Sequence, residues 1–388
     1  MLPLTLLVPA IHLQTLVIGG GPNPRNNQIA IESNVRYIGR LLTAGDSFRV
    51  LFADGSLTSK SVLFISEKPS EESNIGPFSV PGSRFTYREP NLPRLDGPAV
   101  VDSVRSELTE LSKDRKTPAF LYFTGHGSLA PDLKVSQFDL WNGGRFAVPD
   151  LVEGLKNFDK DKPVTLLMVQ CHSGDFANVL YKNGDRTQGL AENRVCGFFA
   201  SISARVAAGC TPAVNEENYQ DFSSYFLAAL SGQDRVGKKV SGADFDGNGK
   251  IGMNEAFCWS LVNDEAIDTP ICTSDELLRL TAQMTDDEVF RTPYAEALRW
   301  ASPAQKAALE GLSDRLKLSG DGRLAEAYQK YAQLDPKDMK KEPILGFRFI
   351  CLARSVVLGH AMAKQSDRVL KQRYATLVKD ESQNPLRS

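Results

Sequence analysis

The sequence predicts an α/β protein: a mainly parallel β-sheet flanked by helices, carrying an EF-hand-like loop and a C-terminal helical region. Three observations predict it. Short apolar runs at 13–18 (LQTLVI), 119–124 (AFLYFT) and 164–170 (VTLLMVQ) are compact, rich in β-formers and bounded by polar or turn residues, as buried strands are. Helical patterns at 29–42, 99–111 and 149–157 lie between them, and strands alternating with helices favour parallel pairing through crossovers. From about residue 292 onward the pattern is helical throughout, with Ala- and Leu-rich stretches.

Weaker strands are expected at 48–53 and 196–202. Residues 54–96 break the rhythm with Gly, Pro and Ser and read as an irregular excursion, whereas 137–148 (QFDLWNGGRFAV) reads as a hairpin around Asn142-Gly143-Gly144. The expected organisation is an N-terminal extension or signal remnant over 1–12, a main domain over 13–290 and a helical region over 291–388. That last region is rich in Lys and Arg, whereas 244–288 is rich in Asp and Glu. The contrast suggests helices able to pack on an acidic part of the core, the plainer reading being two solvated faces.

With 388 residues, 42% hydrophobic and 24% charged, the chain can bury a sizeable core and is not a disordered polymer. A net charge of −2 gives no electrostatic case for nucleic-acid binding, and no long unbroken apolar run supports a membrane span. Residues 2–9 are apolar and Val8-Pro9-Ala10 resembles the site that ends a signal peptide, but no basic residue precedes it. The compartment stays open between cytoplasmic and exported. Six cysteines without a C-x-x-C pair argue against zinc ribbons and thioredoxin-type centres; Cys196 and Cys210 could pair across a loop, which sequence alone leaves open.

Chemistry concentrates where two of the strands end. The first runs into Gly125-His126-Gly127-Ser128, the second into Cys171-His172-Ser173-Gly174-Asp175 and a helical pattern. In a parallel sheet the carboxyl ends of the strands share one rim, where ligands bind. A thiol needs a base or a positive field to become a thiolate; an imidazole across the rim and a helix N-terminus after Cys171 would supply them. Adjacent glycines let backbone N–H groups approach a developing oxyanion. Taken singly, a cysteine and a histidine are more often core residues; paired at two strand ends, they form a candidate acyl-transfer site. His172, next to the thiol in sequence, diverges from it and is placed on the rim.

An apolar strand followed by His-Gly, then one ending in Gln170-Cys171-His172-Ser173-Gly174, resembles the caspase-like cysteine peptidases. The spacing is closest to bacterial legumain-like members, as is the opening at 19–35. Residues 198–210 (FFASISARVAAGC) and a helical 218–230 look like the next strand and helix of those proteins; the resemblance covers about 13–275. It implies a caspase-like fold with Cys171 as nucleophile and His126 as proton-transfer group, the N–H groups of Gly127 and Cys171 forming the oxyanion hole. The Q-A-C arrangement of caspases is absent, so their Asp-binding pocket does not carry over. Arg25, Asn27 and Gln28, after the first strand, and Glu216, Glu217 and Asp221, after the later one, are candidate pocket residues. An acidic floor would select Arg or Lys and Arg25 an acid; both stay open. A dinucleotide reading of Gly19-Gly20-Gly21 fails because Pro24 occupies the third glycine position.

Residues 244–255 (DFDGNGKIGMNE) match the 12-residue EF-hand loop. Ca²⁺ requires many hard oxygens; Asp244, Asp246, Asn248, the Lys250 carbonyl and a bidentate Glu255 would provide them. Gly249 permits the turn. The entering segment 240–243 is a poor helix and no second hand is visible, so the expected role is structural. The resulting expectation is a Ca²⁺-bound cysteine endopeptidase acting on protein or peptide substrates through an acyl-enzyme, its chemistry needing no cofactor. The alternatives are a catalytically inactive caspase-like Ca²⁺-binding interaction module and a transpeptidase of the same fold.

Overall fold

Apolar side chains on alternate positions of the central strands enter two different cores, which places the sheet between helical layers. The structure, a computed structural model, describes residues 13–386 except 44, 67–83, 131–134, 282 and 336. The segment 1–12, read above as an extension or signal remnant, lies outside the described residues.

In chain order the sheet-forming part comprises β1 (Gln14–Gly20), α1 (Ile29–Leu41), β2 (Ser47–Phe52), β3 (Val62–Ile65), β4 (Phe85–Arg88), α2 (Val101–Lys113), β5 (Ala119–Leu129), β6 (Ser136–Leu140), β7 (Gly144–Ala147), α3 (Val148–Leu155), β8 (Val164–Met168), β9 (Val195–Phe199), α4 (Phe222–Ser231), α5 (Met253–Asn263), β10 (Ile271–Cys272) and α6 (Thr273–Thr281). The sheet order is β10-β9-β8-β5-β1-β2, parallel throughout except for β10. Leu16, Ile18, Leu121, Phe123, Leu166 and Met168 share one core with α2 and α3. Their neighbours Val17, Phe120, Tyr122, Leu167 and Phe198 share the other with α1, α4 and α5, as the two-residue period of a doubly covered strand requires.

Several expected boundaries move, each for a local reason. β5 does not stop at Thr124 but continues to Leu129, because the β6–β7 hairpin supplies an antiparallel partner for its second half. After β8 the chain turns at His172 (φ 61°) into a 3-10 helix over Ser173–Leu180, where an α-helical pattern was expected. Helix α4 starts at Phe222 rather than near 218, since the Asp221 side chain caps Ser224 N–H. Within the excursion after β2, β3 and β4 form an antiparallel pair.

The chain continues through α7 (Asp286–Phe290), α8 (Tyr294–Trp300), α9 (Pro303–Leu316), α10 (Arg323–Tyr331), α11 (Lys341–Lys364) and α12 (Arg368–Glu381). Leu309, Phe349 and Val356 from these helices belong to the same apolar core as the α1/α4/α5 face of the sheet; each fully buried side chain of this size contributes about 2 kcal/mol. Helix α11 is long and apolar enough to cross a membrane, but 72% of its apolar window is buried within the protein, and Arg348 on it donates to the carbonyls of Leu261, Asp264 and Asp268. It is a core helix. The charge contrast seen in the sequence is realised at this junction: Arg315 and Lys341 pair with Glu265, Arg348 with Asp264 and Arg354 with Asp286.

Candidate active site

Gly127 packs so closely on the 170–171 turn that a Cβ there would overlap the Cys171 carbonyl oxygen and lie 2.7 Å from Gln170 Cγ. Only a glycine tolerates that approach. It brings the end of β5, with His126, against the segment leaving β8, with Cys171, and so the two strand ends singled out in the sequence meet. Gly174 serves the same purpose one turn later: a Cβ would sit 2.7 Å from Ser201 O, which seats the 3-10 helix against the segment following β9.

The thiol of Cys171 is half-buried. Its Sγ accepts from Ala207 N–H at 3.3 Å and lies 3.7 Å from Ala207 O. The Cys171 N–H donates to no carbonyl among the described residues and faces its own sulfur, where it favours the thiolate. Burial pushes the thiol pKa up; the Ala207 N–H opposes this, while the carboxylates of Asp268 and Asp139 add to it.

His126 Nε2 stands 2.9 Å from Gln28 Oε1, which can only accept, so the pair assigns the proton to Nε2 and leaves Nδ1 as the basic nitrogen. Burial lowers the imidazole pKa, opposed by the Asn26 carbonyl and by Asp139. Asp139 is paired across the ladder with His126 and accepts from Ser128 Oγ at 2.6 Å. Both shifts favour a neutral thiol beside a neutral imidazole, not the thiolate expected from a flanking helix N-terminus and imidazole.

The pocket candidates divide. Gln28 belongs to the site, but as a partner of His126. Its position is set by β3, through the Gln28–Leu63 bridge and the Leu63 N–H to Asn27 O bond of 2.8 Å. Asn27 is buried and structural: it accepts from Gly21 N–H and donates to Ser61 O. Arg25 is exposed and near Tyr87. The acids expected to floor a pocket are engaged elsewhere: Glu216 with Arg36 and Arg40, Glu217 with Lys238, and Asp221 as the α4 cap beside Arg235. His172 is tied by Nδ1 to Ser203 O at 2.7 Å and holds the turn.

Cys196 and Cys210 do not pair. Cys196 sits near the amino end of β9, 3.7 Å from Thr165 Oγ1, whereas Cys210 Sγ lies 3.5 Å from Gly125 O at the carboxyl rim; all six cysteines are free. Sequence reasoning missed Ala207 and Asp139. Asp139 had a signal, a lone acid inside the apolar alternation of the hairpin; Ala207 acts through its backbone and had none.

On the 244–255 loop the carboxylates of Asp244, Asp246 and Glu255 bring one oxygen each within 4.8 Å of one another, and none forms an ion pair among the described residues. Asp244 Oδ2 accepts from Gly249 N–H, Asn248 Oδ1 from Lys250 N–H, and Glu255 Oε2 from Gly252 N–H. Gly249 has φ 81°, the left-handed turn this loop requires. Helix α5 is the exiting helix; the segment before Asp244 is not helical. The donor set, hard oxygens only, fits Ca²⁺. A cleft of about 720 Å³ borders this loop at the amino ends of the strands, lined by Leu13, Pro118, Val164 and Arg194. It lies on the rim opposite Cys171 and has no part in the thiol chemistry.

No family model and no curated protein matches the chain. Among solved structures, protein GSU0716 from Geobacter sulfurreducens is similar over 67% of this chain and 92% of its own, at 11% identity and a TM-score of 0.37, a likeness too weak to bear on function.

Proposed function

We propose that this chain is a cysteine endopeptidase of caspase-like fold, and the observation that carries the reading is the seating of Gly127 on Cys171, which joins a histidine strand end to a cysteine strand end. In this reading Nδ1 of His126 takes the Cys171 proton as the sulfur attacks a peptide carbonyl carbon. A C–S bond forms, and the carbonyl π pair moves to oxygen, which the Cys171 and Gly127 N–H groups would receive. Collapse of that intermediate breaks the C–N bond; the imidazolium protonates the leaving amine and leaves a thioester on Cys171. Water then gives a proton to His126 and adds to the thioester carbon; collapse breaks the C–S bond and releases the carboxylic acid, and the imidazolium returns its proton to the sulfur. A neutral resting pair suits this sequence, because the thiolate is generated only when the substrate is in place.

Ca²⁺, held by Asp244, Asp246, Asn248, Glu255 and the Lys250 carbonyl, would brace the loop between α4 and α5 and take no part in the chemistry. The substrate is a protein or peptide. Incubation of the purified protein with a peptide library scanned at P1, in the presence of Ca²⁺, tests the reading: cleavage that Cys171→Ala abolishes supports it, and cleavage unchanged in that variant overturns it.

One observation favours a second reading. The thiol bonds to Ala207 and the imidazole to Gln28, and no hydrogen bond joins Cys171 to His126 among the described residues; an inert thiol in a Ca²⁺-binding interaction module has that arrangement too. Failure of Cys171 to react selectively with any peptidyl electrophile would select that reading. A transpeptidase sharing the acyl-enzyme is distinguished by its products when an amine is supplied.

A further inference from the structure

The segment 201–210 forms the wall against which Cys171 rests, and its own supports come from the C-terminal helices. Ala207 N–H donates to the Cys171 sulfur at 3.3 Å. Arg205, two residues earlier, accepts at its carbonyl from His172 N–H at 2.9 Å and from Ser201 Oγ at 3.1 Å. The first holds the backbone that follows the nucleophile, and the second ties the segment to its own start.

The Arg205 side chain is buried, with 1% exposure. Its guanidinium reaches out of the sheet layer to the turn between α10 and α11, donating to Asp335 O at 2.7 Å and Asp338 O at 2.6 Å. Among the described residues no carboxylate forms an ion pair with it; two main-chain carbonyls of one turn receive a buried cation. A buried guanidinium requires such acceptors, so these two bonds tie the position of segment 201–210 to that of the turn. The turn has its own lock, since Asp338 N–H donates to Asp335 O and Lys337 N–H to Asp335 Oδ1. A second strut runs parallel to the first. Ala208 N–H donates to Asp268 Oδ1 at 2.7 Å, and Arg348 on α11 donates to Asp268 O at 2.8 Å.

We propose that the α10–α11 turn is a positioning element for the nucleophile, acting through Arg205 on the segment that holds the Cys171 sulfur. This rests on reading Cys171 as the nucleophile. The C-terminal helices are then part of the catalytic unit, and whatever loosens that turn disengages the Ala207 N–H from the sulfur and frees the His172 N–H.

Hydrogen exchange and peptidase kinetics on the full chain, for Arg205→Ala, Arg205→Lys and Asp335→Ala, test the proposal. Asp335 is exposed, so its substitution loosens the turn without burying or stranding a charge, and it carries the test if Arg205→Ala does not fold. The expected result is exchange at least about tenfold faster in peptides covering 171–174 and 203–210 for Arg205→Ala, less for Asp335→Ala, with peptides covering β5 and β8 unchanged. Turnover falls about tenfold with KM within about twofold, as for a misplaced catalytic group, and Arg205→Lys restores part of both. Unchanged exchange at 171–174 and 203–210 in Arg205→Ala overturns the proposal. Faster exchange in a protein whose wild type cleaves no peptide leaves the Arg205 linkage standing and removes the peptidase reading.

Discussion

Gly127 and Cys171 touch through backbone alone: the glycine lies where any side chain would strike the cysteine carbonyl. A side chain is excluded from the one place where β5 and the turn after β8 must meet. Gly127→Ala forces the two apart against Gln170 Cγ at 2.7 Å and Gln137 O at 3.1 Å, at a cost of about 1–3 kcal/mol. The expected outcome is a loss of about a hundredfold in kcat/KM, since a displacement near 1 Å has that effect, with a folded protein by urea titration. Full activity in this variant contradicts the site as described.

Gln28 sets the tautomer of His126 through a neutral acceptor 2.9 Å from Nε2. Burial lowers the imidazole pKa, so in the proposed peptidase the acidic limb of kcat/KM is expected below the ordinary histidine value of about 6.5. Gln28→Glu places a carboxylate at the same spot, favours the imidazolium and moves that limb to higher pH by roughly one to two pH units. A pH profile of kcat/KM for both proteins measures this; an unmoved limb contradicts the assignment of His126 as base.

The last turn of α12 carries a pH-sensitive anchor. Glu381 is buried and accepts from Thr273 Oγ1, Ser274 N–H and Ser274 Oγ; burial pushes its carboxyl up to about 7 from an ordinary 4.5. Its folded pKa is therefore above the unfolded one, and the folded protein holds a proton that the unfolded chain releases. Its contribution is complete below pH 4.5 and is lost as the pH rises through 7, a total of about 3 kcal/mol. Glu381→Gln, neutral at every pH, is expected to lose less stability than the wild type between pH 5 and pH 8 in urea titrations. Equal losses contradict this account of Glu381.

Calcium is expected to raise the unfolding temperature, by an amount equivalent to about 2.7 kcal/mol at a hundredfold excess over Kd. Asp246→Asn keeps an acceptor for the Asn248 N–H while removing a ligand charge, and is expected to abolish most of that rise without lowering stability in chelator. Thermal unfolding with and without Ca²⁺ measures both; a variant that responds like the wild type places the ion elsewhere.

The layers of the fold were legible because they depend on local pattern. The runs at 13–18, 119–124 and 164–170 alternate faces once paired, and Asn142-Gly143 makes its turn whatever surrounds it. His126 and Cys171 were legible for the same reason, each closing an apolar run beside a glycine. What was hidden depends on partners distant in sequence. The extension of β5 needs β6; the 3-10 turn after Cys171 needs the Arg205 carbonyl; Gln28 looks like any loop amide until β3 fixes it beside His126. The acids Glu216 and Asp221 misled because sequence shows a charge but not its counter-ion, and Arg36 and Arg235 already occupy them.

In the proposed reading Cys171 is a nucleophile activated by His126. The most direct measurement is mass-spectrometric mapping of the adduct formed with a peptide that carries a thiol-directed electrophile at its carboxyl end. One adduct is expected, on Cys171 among the six cysteines, formed much more slowly in His126→Ala. Labelling spread over other cysteines, or equally fast on Cys171 without the histidine, contradicts it.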